Sequence, residues 1–194
     1  MPNHQVGEGA LHNVRSMFVA FLLIITLLGA GFAFLLWRAE EPGGIDDAYA
    51  LVFGPPDLGG VDFENLTRRD APNDALACHP DICGATAVDF ETPVFPIPGA
   101  RLRAIVREVA LAQPRTQLVY ASRWGEEDRY VVRSRLMRYP DTVVARIYGA
   151  GPGRSMLGLY SRSQIGYSDM GVNRARIGDW LVAIEVHARR EAQD

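Results

Sequence analysis

The chain reads as an α+β protein: a single N-terminal transmembrane helix, then an antiparallel sheet of about five strands with two helices. Three observations predict this. Residues 17–37 carry no charge, between Arg15 and Arg38. Residues 101–112 place Leu102, Ile105, Val106 and Val109 at helical spacing, and Pro114 stops the run. Residues 117–163 then hold four strand-like runs joined by short turns, and short connections favour antiparallel neighbours.

The uncharged run follows a tail of residues 1–16. At 1.5 Å per residue it spans about 31 Å, the thickness of a bilayer's hydrocarbon core. A helix satisfies its own backbone in lipid, and Trp37 and Arg38 suit an interfacial boundary. A buried helix of a soluble protein is a poorer fit, because this one is apolar on all sides. A cleaved signal peptide is also a poorer fit, since no small-x-small site follows. The partner expected for residues 17–37 is therefore the lipid bilayer. The expected location is the bacterial inner membrane, crossed once. Arg15 and Arg38 nearly balance the positive-inside rule, and the soluble domain is assigned to the periplasm.

Residues 38–60 are rich in Gly, Pro and acid, which predicts a linker or an irregular wrap. The soluble domain is expected over residues 61–190, with little regular structure in 61–85. Residues 86–95 are a candidate edge strand, limited by Pro93 and Pro96. After the helix over 101–112, the strand-like runs are 117–124, 130–139, 142–149 and 156–163. A last helix over 171–190 sets Ile177, Trp180, Leu181 and Ile184 at core spacing. Strand, helix, four strands, helix is the element order of helix-grip and TATA-binding-like folds; the plainer alternative is a sheet with helices on one face.

Every basic residue other than histidine is arginine, and the formal charge of −3 argues against a nucleic-acid partner. The charge is uneven. Residues 40–100 hold 12 acids and 2 arginines, whereas 101–176 hold 14 arginines and 6 acids. Arg133 and Arg135 alternate onto one face, and strand pairing would bring Arg146 towards Arg162. Either the arginines form a basic surface for an anion, or the acidic N-terminal part packs on the basic sheet and the charges pair internally. The second reading is favoured because the two balances nearly cancel.

Cys78 and Cys83 are the only cysteines. A disulfide ranks ahead of two free thiols, and a metal site with His79 comes last, because a second pair of ligands is missing. No metal and no cofactor are expected. No nucleophile elbow, phosphate-binding loop or His-Glu-x-x-His pattern is present.

The densest polar constellation is Ser161-Arg162-Ser163-Gln164-Ile165-Gly166-Tyr167-Ser168-Asp169-Met170-Gly171-Val172-Asn173-Arg174-Ala175-Arg176. Arg162, Ser163, Asp169, Asn173, Arg174 and Arg176 are the candidate ligand-binding residues, since arginine forks and free N–H groups at a helix start take up anions. The structural reading is that Ser168 or Asp169 caps the last helix while an arginine pairs with Asp169 to fix the corner. This stretch, with residues 66–78 and Tyr139-Pro140-Asp141, resembles an uncharacterised bacterial and plastid family, the domain of unknown function fourteen-ninety-nine. The resemblance covers roughly residues 62–185. It implies a widespread, often membrane-associated domain and supplies no activity, cofactor or catalytic residue.

Three functions follow as expectations. The first is a membrane-anchored envelope domain that binds a lipid-like or anionic ligand, or a protein partner. The second is an enzyme on a small anionic substrate at the Arg162, Asp169, Asn173 and Arg174 corner. The third is a structural or assembly protein.

Overall fold

Helix α1 (Gln5–Glu40) runs unbroken through the uncharged segment, in a computed structural model that describes residues 5–40 and 46–193. Its stretch Asn13–Leu35 is long and apolar enough to cross a membrane, and its hydropathic window is unburied. A membrane anchor and a signal sequence share these properties. Thr26, near the middle of that stretch, donates to the Leu22 carbonyl at 2.9 Å, so its polar group is satisfied within the helix. Residues 5–16 of the expected tail are helical; residues 1–4, and 41–45 of the expected linker, lie outside the described residues.

The chain divides into two units, Met1–Asp47 and Ala48–Asp194. The second is built on a six-stranded sheet in the order β2-β1-β6-β5-β4-β3. Strands β3 (Thr116–Ala121), β4 (Glu127–Arg133), β5 (Pro140–Gly149) and β6 (Ser155–Ser163) form the expected antiparallel meander. Helix α4 (Gly99–Ala112) precedes it and α5 (Val172–Glu191) follows it. The expected element order therefore holds.

Three details differ. Residues 61–85 contain β1 (Asp74–Cys78), which pairs antiparallel with β6, and a short helix α3 (Pro80–Cys83). The candidate strand over 86–95 shrinks to β2 (Phe90–Glu91), parallel to β1, with an isolated bridge from Phe95 to Ser155. Strand β4 ends at Arg133, not at residue 139. There Ser134 N donates to the Tyr139 carbonyl and Tyr139 N to Ser134 Oγ, closing a turn.

Strand alternation sorts the core onto two faces. On one face Ala75, Ala77, Tyr130, Val143, Ala145, Leu157 and Leu159 meet Leu102, Val106, Ile177, Trp180 and Ile184 of the two long helices. On the other, Leu76, Cys78, Val144 and Tyr160 meet Phe63, Ile82 and Cys83. The second cover is supplied by α3 and by the irregular segment after α2 (Asp46–Phe53). Gly158 allows this close approach: a Cβ there would come within 2.8 Å of the Phe63 ring. The architecture is the plainer alternative, a sheet with both long helices on one face, and a chain wrap covers the other.

Candidate functional site

The motif residues meet where β6 runs out into α5. Alternation along β6 turns Ser161 and Ser163 towards the helix side and Arg162 towards the wrap. Asp169 folds the connecting turn onto the helix start. Its two carboxylate oxygens accept from Gly171 N at 2.9 Å and Asn173 N at 2.8 Å. Gly171, at φ +81°, makes the left-handed step into α5 that a side chain would oppose.

Asn173 is fully buried and saturated. Its Nδ2 donates to Ser163 Oγ at 2.9 Å and the Asn73 carbonyl at 3.1 Å, and its Oδ1 accepts from Ser161 Oγ and Arg176 Nη1. Arg176 also donates to Ser161 Oγ at 2.9 Å and, through Nη2, to Asp141 at 2.7 Å. From the β1 end, Asn73 Nδ2 donates to the Gly166 carbonyl and Arg69 to the Ser163 carbonyl. Four elements, β1, β5, β6 and α5, are thereby pinned at one corner.

Arg162 and Arg174 lie apart from this network. Arg162 donates through Nη2 to the carbonyls of Leu58 and Gly59, at 2.8 and 2.9 Å, and so clamps the wrap on the sheet. Its Nε is buried with no hydrogen-bond partner among the described residues, and burial pulls its guanidinium below the usual arginine pKa. Arg174, 61% exposed, lies over the Phe90 ring and 3.3 Å from Asp89. The arginine and acid corner expected from sequence thus separates into a buried knot, a clamp and a surface residue. Arg146 shares the wrap face with Arg162 but pairs with Gly158, while Arg162 pairs with Thr142, so the two do not meet. Arg135 lies beyond the end of β4, and the alternation with Arg133 does not form.

The acidic N-terminal part pairs with the later arginines at Asp57 and Asp89, while Arg68 and Glu127 pair within their own parts of the chain. Arg129 binds Asp57 and Glu127, Arg68 binds Asp74 and Asp89, and Arg174 reaches Asp89. The Asp74 carboxyl is pulled two ways. Burial raises it, but hydrogen bonds from Arg68 and Tyr160 outweigh burial and hold it below the usual carboxylate range. Cys78 and Cys83 are joined by a disulfide, with Cα atoms 6.2 Å apart. Among the described residues no group of three or more His, Cys, Asp or Glu is placed to hold a metal.

A feature without a sequence signal lies at the β3–β4 hairpin. Asp128, almost wholly buried, binds both Arg103 and Arg107 of α4, at 2.6 and 2.9 Å. Beside them Trp124, Gly125, Tyr148 and Gly149 line a cleft of about 410 Å³. Only strand register brings Asp128 opposite α4, so residue spacing could not reveal it.

A profile of the family described as proteins of unknown function (DUF1499) matches residues 86–184, just over half of the chain. The chain belongs to the DUF1499 family. The match spans α4, the meander, the Ser161–Arg176 corner and α5 as far as Ile184, while Asn73 and Arg69, which join the knot from the β1 side, lie outside it. No curated protein matches this chain.

Proposed function

We propose that this DUF1499 protein is a single-pass protein of the bacterial inner membrane, and that its α+β head works in the periplasm as a contact module. In this reading α1 is the anchor and the head acts through its outer surface. The observation that carries it is the state of the motif corner. Asn173, Ser161, Ser163 and Asp141 are buried and bonded into one network with the partly buried Arg176, which supports a structural purpose for them. The space between sheet and α5, where a lipid-like ligand would sit, is filled by Ile177, Trp180 and Ile184. The disulfide supports an oxidising compartment.

The test is fractionation of cells expressing the full chain, followed by native mass spectrometry. The chain should stay in alkali-washed membranes with its N-terminus intact and be digested by protease added to spheroplasts. Its mass should be that of bare protein once bulk lipid is stripped. A soluble chain lacking residues 1–37 would make α1 a signal sequence, and a retained small molecule would overturn the contact reading.

A second reading is binding of a small anion at the hairpin cleft, favoured by two arginines that share the single carboxylate of Asp128. Titration with phosphate and with dicarboxylates, followed by Trp124 fluorescence, tests it; Arg107→Ala should remove any response.

A further inference from the structure

The two ends of the sheet differ in what they expose. One end collects the β4–β5 turn, the β6–α5 connection and the last turn of α2, because β4 and β6 finish there and β5 and β1 begin. Hydrogen bonds hold these segments together: Tyr49 donates to the Met137 carbonyl, and Gln164 to those of Phe53 and Pro55. Yet the apolar side chains of these segments point outwards. Met170 is 96% exposed, Leu51 88%, Tyr167 75%, Val52 70% and Leu136 62%. Scattered apolar residues are ordinary on any surface; a set gathered from three segments at one end marks a contact site.

Two further observations single out this end. Among the described residues, the non-glycine positions with positive φ, Arg115, Arg138 and Met170, all lie there. Met170 takes its positive φ in the turn closed by Val172 N on the Asp169 carbonyl, and that turn holds its side chain out, almost wholly exposed. Among the described residues the exposed charges at this end are mostly arginine, with Asp70 exposed beside Arg69. Arg69, Arg115 and Arg135 are exposed at this end, and among the described residues none of them is within ion-pair distance of a carboxylate. The opposite end exposes Trp124 and, less fully, Tyr120, and carries the Gly-Pro-Gly turn over residues 151–153.

We infer that this end of the head docks on the interface of an anionic bilayer, with Leu51, Leu136, Tyr167 and Met170 entering the headgroup layer and Arg69, Arg115 and Arg135 meeting lipid phosphates. Apolar and aromatic side chains ringed by arginine are the composition of an interfacial surface. The sequence supplies the occupant: only five residues separate Glu40, at the end of α1, from Asp46, at the start of α2. Even fully extended, that connection reaches about 20 Å, so the end bearing α2 stays close to the bilayer that α1 enters. The inference rests on the anchor reading of α1.

The test uses the full chain in lipid nanodiscs, with single nitroxide labels read by collision with oxygen against a water-soluble nickel chelate. Labels go at Leu136→Cys and Met170→Cys, with Trp124→Cys as a water reference and Ile25→Cys as a bilayer reference. With phosphatidylglycerol present, the labels at 136 and 170 should shift from chelate-dominated to oxygen-dominated collision, while that at 124 stays chelate-dominated. In purely zwitterionic discs the shift should be lost; its persistence would overturn the arginine–phosphate contribution. Labels at 136 and 170 as wet as that at 124, with 25 in the bilayer, would overturn docking and leave the anchor standing. A wet label at 25 would overturn the anchor and the docking with it.

Discussion

Arg176 and Asp141 form an ion pair of 2.7 Å with each side chain only 11% exposed, linking the second turn of α5 to the start of β5. The same guanidinium holds Ser161 and Asn173, so it organises the corner that the family pattern marks. Two arginines two residues apart in sequence therefore have opposite duties, since Arg174 lies on the surface.

Arg176→Ala should destabilise the fold by about 3–5 kcal/mol, because it leaves Asp141 buried without its counter-charge. Arg174→Ala should change stability by no more than about 0.5 kcal/mol. Denaturant unfolding of the two variants side by side checks the split. Equal losses would mean that the exposed ion pair to Asp89 matters as much as the buried one.

Gly158→Ala should cost about 1–3 kcal/mol by pushing the Phe63 ring off the sheet. The effect is one of volume, so combining it with Phe63→Leu should cost less than the sum of the two single changes. An additive double mutant would show that the ring and the glycine do not compete for the same space.

Stability should fall on acidification through Asp74. Its folded carboxyl titrates below the ordinary value, so its contribution is complete above a pH of about 3.9. That contribution is lost as pH falls through the lower folded value, where the unfolded chain binds the extra proton. Arg68→Gln removes a main cause of the shift and should flatten the acid slope of unfolding free energy.

Reduction of the Cys78–Cys83 bond should lower stability by about 2 kcal/mol, the amount expected for so short a loop. The double Cys→Ala variant should show the same loss and become insensitive to reductant. Intact mass before and after thiol blocking reads the redox state directly.

Much of the fold was legible in the sequence. The uncharged run, the helical spacing of Leu102, Ile105, Val106 and Val109, and the turn-separated runs after Pro114 all announce themselves over short distances. Strand β1 did not. Asp74-Ala75-Leu76-Ala77-Cys78 is short, made mostly of small residues and covered on both faces, so it lacks the alternation that marks a half-exposed strand. The turn that ends β4 was also hidden, because Ser134 and Tyr139 close it without glycine or proline, and Arg138 supplies the positive φ.

The sequence by itself determined the elements, the uncharged helix and the corner whose residues carry the family pattern, because each depends on neighbours within a few positions. Tertiary structure alone decided what those polar residues do. Asp141 meets Arg176 and Asp128 meets Arg107 only once register and helix placement bring them together, and alternation along β6 sends Arg162 away from the serines beside it. A ladder's register is set by pairing between distant segments, and a shift of one residue would turn each of these side chains to the opposite face.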